Sequence, residues 1–352
     1  MKRRTVAGLV SAVLVIGLGS VAAIRPVPYV TFSPGPTVNV LGKFDDEQII
    51  QVSGRQSYRD SGGLRLLTVV PSGPENKVSL AQLVLAWADP DKSVYPYSAI
   101  YGTQDTRSSV QQQSTVEMDT SQSDAVAAAL RGLKIPFTTY TQIGSVQKDG
   151  PADGRLEPGA RVISVDGAKI GGAQQLANAI RPLDIGSEVT VVVRRDGKRL
   201  TKTMTTTKSP TTPSASALLV TIAPGYDFPF DVKLNIDKNI GGPSGGLMFS
   251  LGIYDVLTPG SLTDGKVIAG TGEIDSEGTV SPIGGIQQKL VAAQAAGAKL
   301  FLAPADNCAE ALGGNFDPKK MRLVRVEKFS DALEDVQSWV EDPGATLPRC
   351  TR

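Results

Sequence analysis

The hydrophobic pattern changes character several times along the chain. Residues 5–24 carry no charge and follow Lys2-Arg3-Arg4. As a helix rising 1.5 Å per residue, that run reaches across about 30 Å of hydrocarbon. It predicts a transmembrane anchor over residues 1–25, with the basic flank in the cytoplasm and the rest of the chain outside a cell membrane. Val21-Ala22-Ala23 also reads as the small-residue end of a secretory signal peptide, but the run exceeds the roughly 7 to 15 apolar residues usual in such peptides and favours a retained anchor.

Residues 26–120 read as a β-rich region. Pro34-Gly35-Pro36 marks a turn, 48–52 and 64–70 read as strands, and 81–88 reads as a helix. The polar stretch 103–120, with Gln111-Gln112-Gln113, reads as a loop or linker. A mixed segment follows over 121–208: a helical run ending near Gly132, strands at 138–146 and 189–194, and a helix at 173–180. Ser209-Pro210-Thr211-Thr212-Pro213 is a short linker. A last α/β domain is expected over 214–340, with a tail at 341–352, so the class is α+β behind an N-terminal transmembrane helix.

At 352 residues the chain has room for two or three folded units. Lys plus Arg number 36 against 35 for Asp plus Glu, so no global field favours nucleic acid. The chain contains no histidine, which excludes Ser-His-Asp and Cys-His hydrolases and any His-ligated zinc. The two cysteines, Cys308 and Cys350, would suit a disulfide in an exported domain; two unlinked thiols are the alternative.

The candidate chemistry begins at Gly241-Gly242-Pro243-Ser244-Gly245-Gly246. A serine between small residues where an amphipathic helix starts could be a nucleophile beside backbone N–H donors, or merely the cap of that helix. Gly242-x-Ser244-x-Gly246 also fits the nucleophile elbow of α/β-hydrolases, but that triad requires histidine. Two other spacings fail on their own terms. In the run 260–266, Val267 stands where a phosphate loop needs Ser or Thr, and Ser145-x-x-Lys148 lacks the companion motifs of penicillin-binding proteins. Without histidine, the base for a serine is a lysine kept neutral by burial or by nearby positive charge. Lys289, at the head of an Ala-rich helix, is in such a setting, although a snorkelling surface lysine would have the same local sequence.

Two resemblances sharpen this reading. Gly150-Pro151-Ala152, then Leu156-x-Pro158-Gly159-Ala160 and a strand ending at Asp166-Gly167, resemble a bacterial PDZ domain, which implies capture of extended peptides, with the carboxylate loop expected near 137–141. A plain spacer domain is the alternative. The motifs at 242–246, Thr271-Gly272-Glu273-Ile274, 278–290 and Ala303-Pro304 resemble the proteolytic domain of Lon proteases. That resemblance implies Ser244 as nucleophile, Lys289 as general base and Thr271 as a supporting hydroxyl, with no metal or cofactor. It also implies protein or peptide substrates and self-association. Lon carries an ATPase module and an acidic residue three positions before its serine. Here there is no credible nucleotide site and that position is Gly241, which implies ATP-independent cleavage of flexible or unfolded segments. The whole arrangement is similar to the single-pass PDZ and Lon-type proteases of Gram-positive bacteria. A non-catalytic, membrane-tethered PDZ scaffold with an inactive Lon-like domain is the rival reading.

Overall fold

The computed structural model describes residues 3–59, 61–102 and 105–351. The chain starts with helix α1 (Arg3–Ile24), strands β1 (Tyr29–Asn39) and β2 (Gly63–Pro71), helix α2 (Leu80–Ala88), strand β3 (Ser93–Pro96) and helix α3 (Arg107–Gly132). It continues through β4 (Thr138–Val146), β5 (Arg161–Val165), α4 (Ala173–Ile180), β6 (Glu188–Arg195), β7 (Lys198–Thr205) and β8 (Val220–Asp227). It closes with α5 (Gly246–Leu257), β9 (Val267–Gly270), α6 (Ile286–Ala295), β10 (Leu300–Pro304), β11 (Arg322–Val326) and α7 (Phe329–Glu341). Contacts divide it into two units, one of residues 1–135 with 230–352 and one of 136–229.

The first unit is built on a six-stranded sheet in the order β11-β10-β9-β2-β1-β3. The β11, β10, β9 and β2 strands run parallel, and β1 is antiparallel to both β2 and β3. Parallel strands need crossovers and are covered on both faces, and Leu300, Phe301, Leu302 and Ala303 are accordingly fully buried. The crossover from β9 to β10 carries α6, and with it Lys289. Helix α5 is apolar nearly all round, with Leu247, Met248, Phe249, Leu251 and Ile253 at 0% exposure. It is therefore a core helix and not the amphipathic one the sequence suggested. The segment 26–120 forms no unit of its own, because β1, β2 and β3 make half of this sheet.

The polar stretch read as a loop or linker is mostly helix α3; Thr103 and Gln104, at its head, lie outside the described residues. A capping box between Thr106 and Ser109 starts the helix, and Thr115, Thr120 and Ser123 bond back to carbonyls four residues earlier. These local bonds let a Ser/Thr/Gln-rich sequence be helical once one face is docked.

The transmembrane expectation is corrected. Among the described residues no helix is long and apolar enough to cross a membrane. The N-terminal transmembrane helix and the single-pass membrane location, with the topology read from them, are therefore not supported. Lys2, part of the basic flank, lies outside the described residues.

Cys308 and Cys350 form a disulfide across 42 residues of sequence, tying the C-terminal segment to the short helix Cys308–Ala311. Closing a loop of that length restricts the unfolded chain by about 3 to 4 kcal/mol in the loop-entropy treatment. Cys350→Ser should lower the free energy of urea unfolding by that amount, and reductant should bring the wild type to the same value; an unchanged midpoint in both would remove the stabilising role.

The second unit is a sheet in the order β7-β6-β5-β4-β8 with α4 against it. Its core is Val162, Val165, Leu176, Val189, Val191 and Met204. Strand β8 lies beyond the Pro-rich linker that the sequence took as the boundary, yet it pairs with β4 along its whole length.

Candidate active site

Ser244 sits in a single 3-10 turn, Pro243–Gly245, immediately before the core helix α5. Its hydroxyl caps neither element, so the capping explanation is not what the structure shows. Proline fixes the turn's first φ and lacks an N–H that would be unpaired there, and Gly242 enters it at φ +84°, a conformation that favours glycine.

Thr271 follows directly on β9, so its hydroxyl sits at the carboxyl end of a central parallel strand, where open α/β sheets form their sites. Lys289 is in the first turn of α6. That helix begins after Gly285, which is left-handed at φ +71° and so close to β2 that a Cβ would lie 2.8 Å from Val69 Cγ1. Only glycine brings the start of α6 this near the sheet.

The three side chains meet. Lys289 Nζ donates to Ser244 Oγ at 2.7 Å and to Thr271 Oγ1 at 2.9 Å. Thr271 Oγ1 in turn donates to the carbonyl oxygen of Ser244 at 3.0 Å. Because that proton is spent on the carbonyl, the threonine oxygen can only accept from the amine. A neutral amine so held presents its lone pair to the serine hydroxyl. Lys289 is 1% exposed and Thr271 fully buried. Among the described residues no carboxylate forms an ion pair with this lysine, and burial lowers its pKa from 10.5 to about 7.

Five backbone amides lie at or beside the serine. Gly242 N–H donates to Ser114 O at 2.9 Å, and Leu247 N–H to Gly272 O at 3.1 Å; Gly246 N–H donates to Pro243 O. The amides of Ser244 and Gly245 belong to the first turn, whose donors have no partner within the helix. A cavity of about 550 Å³ opens over the pair, lined by Phe32, Val38, Phe44, Leu66, Met118 and Ile240. These are apolar walls around one polar end, the make-up of a site for a side chain rather than for a phosphate.

The other sequence candidates do not join this site. Lys266 of the phosphate-loop-like run donates to Val340 O at 2.7 Å. Ser145 shares a hydrogen bond of 2.7 Å with Thr221 on exposed strands. The segment near 137–141 offers no open peptide edge, because β8 covers it: Phe137 packs on Tyr226 and Phe228 and Thr138 bonds Asp227. A second cavity, about 560 Å³, lies within this unit between Leu176 and Ile180 of α4 and Leu218 to Ile222 at the head of β8.

Two serines were missed. Ser114 and Ser121 of α3 both touch the turn that carries Ser244, Ser121 through its side chain (Oγ to Pro243 O, 2.8 Å). Nothing in their Gln/Ser/Thr-rich surroundings distinguishes them. Glu273, of the Thr-Gly-Glu motif, has its carboxyl pKa raised by burial and then by nearby Glu117 on α3.

Comparison with known proteins agrees with both resemblances. Residues 122–206 match the family profile of the PDZ domain, and residues 236–336 that of the Lon protease (S16) C-terminal proteolytic domain. The Lon protease of Campylobacter jejuni is 39% identical over 98 residues, 26% of this chain and 12% of that protein. Lon protease 2 of Bacillus subtilis is 30% identical over 109 residues, 30% of this chain and 19% of that one. The chain thus spans less than a fifth of the length of these relatives. Among solved structures, that of GtR34C from Geobacillus thermodenitrificans is 32% identical and covers 23% of this chain and 94% of its own, at a TM-score of 0.22. The PDZ domain of the SdrC-like protein from Listeria monocytogenes is 18% identical over 24% of this chain and 87% of its own, also at 0.22. The Lon relationship supports a serine peptidase.

Proposed function

We propose that this chain is a serine endopeptidase acting through a Ser-Lys dyad. The observation that carries the proposal is the 2.7 Å contact between Ser244 Oγ and an amine buried to 1% exposure and, among the described residues, in no ion pair with a carboxylate. Neutral Lys289 takes the hydroxyl proton as Ser244 attacks the scissile carbonyl, then returns it to the leaving amine; water hydrolyses the acyl-enzyme by the same route. Thr271 fixes the direction of the lysine lone pair. The amides of Ser244 and Gly245 receive the developing oxyanion, and the apolar cleft takes a substrate side chain.

Turnover without nucleotide is part of this reading, since the one phosphate-loop-like run singled out in the sequence has its lysine bonded to Val340 O and Val267 at the metal-binding place. Substrates are then flexible or already unfolded segments, with the PDZ-like unit positioning their ends and the protease domains self-associating. The disulfide supports work in an oxidising compartment. A probe that acylates active serines should label the wild type and not Ser244→Ala. Equal labelling of the two would refute the nucleophile, and labelling of neither would leave a non-catalytic scaffold.

A further inference from the structure

Helix α3 grips the turn of the nucleophile from outside the region matched to the Lon profile. Ser114 and Ser121 are seven residues apart, close to two helical turns, and so share one face of α3. The carbonyl of Ser114 accepts the N–H of Gly242 at 2.9 Å. The hydroxyl of Ser121, 2% exposed, donates to the carbonyl of Pro243 at 2.8 Å. The two bonds bracket Pro243, the residue before the nucleophile. The approach also accounts for Gly241, where Lon has an acidic residue. A Cβ at 241 would lie 2.7 Å from Ser114 Oγ and 2.8 Å from Ser114 Cβ, so α3 occupies the space such a side chain needs.

The bond from Ser121 has a consequence for chemistry. The Pro243 carbonyl and the Ser244 N–H are the two ends of one planar trans peptide and point in opposite directions. Holding the carbonyl therefore aims the amide. We propose that Ser121 is a positioning residue for catalysis: its hydroxyl fixes the Pro243–Ser244 peptide plane so that the Ser244 N–H faces the forming oxyanion. The inference rests on the peptidase reading above, and Ser121 itself touches neither substrate nor the reacting atoms.

Such a residue acts on the transition state more than on substrate binding, because the oxyanion exists only there. Ser121→Ala should lower kcat about 10- to 100-fold, a loss in line with a small misplacement of a catalytic donor, with KM within twofold. The pH midpoint set by Lys289 should not move, and Ser121→Thr, which keeps the hydroxyl, should recover most of the rate. Urea midpoints measured alongside separate this from simple loosening, which would shift stability without splitting kcat from KM. A Ser244-dependent activity that Ser121→Ala leaves within twofold overturns the role of Ser121 alone. Turnover that persists in Ser244→Ala overturns the reading of the site, and the role of Ser121 falls with it.

Discussion

Replacing Lys289 by methionine should remove peptide hydrolysis, by about a thousandfold or more, while leaving the protein no less stable at neutral pH. Methionine has nearly the same length and no charge, so it fills the buried channel of Lys289 without a polar group to satisfy. Ser244→Ala should cost as much, and the double variant should be no worse than either single one, because residues acting as one unit do not add. The stability arm follows from the pKa. Unfolded, the lysine titrates near 10.5; folded, near 7. Between those values the unfolded chain binds more protons, so this group lowers stability as pH falls from 10.5 to 7, and the cost is fully present below 7. Methionine removes that cost, and its advantage should fade above pH 10.5. Arginine is the poorer test, since a guanidinium that stays charged in a 1% exposed site would disturb the fold as well as the chemistry. Peptide hydrolysis and urea unfolding of the same preparations decide the matter: activity retained in Lys289→Met sinks the dyad, and a large loss of stability would make the lysine structural.

Ser244 and Lys289 were named through the resemblance to Lon, because each local stretch also has a plain reading, a helix cap for the serine and a surface side chain for the lysine. Gly242-Pro243-Ser244-Gly245-Gly246 has too little side chain to be ordinary core, and the absence of histidine left a lysine as the base. That Lys289 was the lysine came from the resemblance to Lon, since a snorkelling side chain would have had the same local pattern. What stayed hidden was non-local. Leu64 and Ile268 are neighbours in the sheet across some two hundred residues, so 26–120 looked separate. Strand β8 contains Pro224-Gly225 and follows a Pro-rich linker, which concealed its pairing with β4. Of helix α3 only the run ending near Gly132 was read, where Ala125 to Leu130 are buried; its first half is Ser/Thr/Gln-rich, and hydrophobic periodicity cannot register a contact such as Ser114 on Gly241. The charge-free N-terminal run was over-read, since no helix among the described residues is long and apolar enough to cross a membrane.

Activity should climb with pH through about 7 and then level off. Only the neutral amine accepts the serine proton, so the active fraction falls about tenfold per pH unit below the Lys289 pKa, giving kcat/KM at pH 5 about a hundredfold below its plateau. An unperturbed lysine would place the same limb near 10.4. Few other groups can imitate it. The chain has no histidine, both cysteines are bridged, and Glu273 is a carboxyl raised only from the usual range near 4.5. Burial is the cause of the shift, so a change that keeps the burial should keep the midpoint. Thr271→Val does so while removing the acceptor that orients the amine: its limb should stay near pH 7 or fall slightly, because an acceptor favours the charged form, and its plateau should drop about 10- to 100-fold. A profile of kcat/KM from pH 5 to 9 on an unfolded peptide substrate reads both effects. A flat profile, or a limb near pH 10, would mean that the proton goes somewhere other than a buried, neutral Lys289.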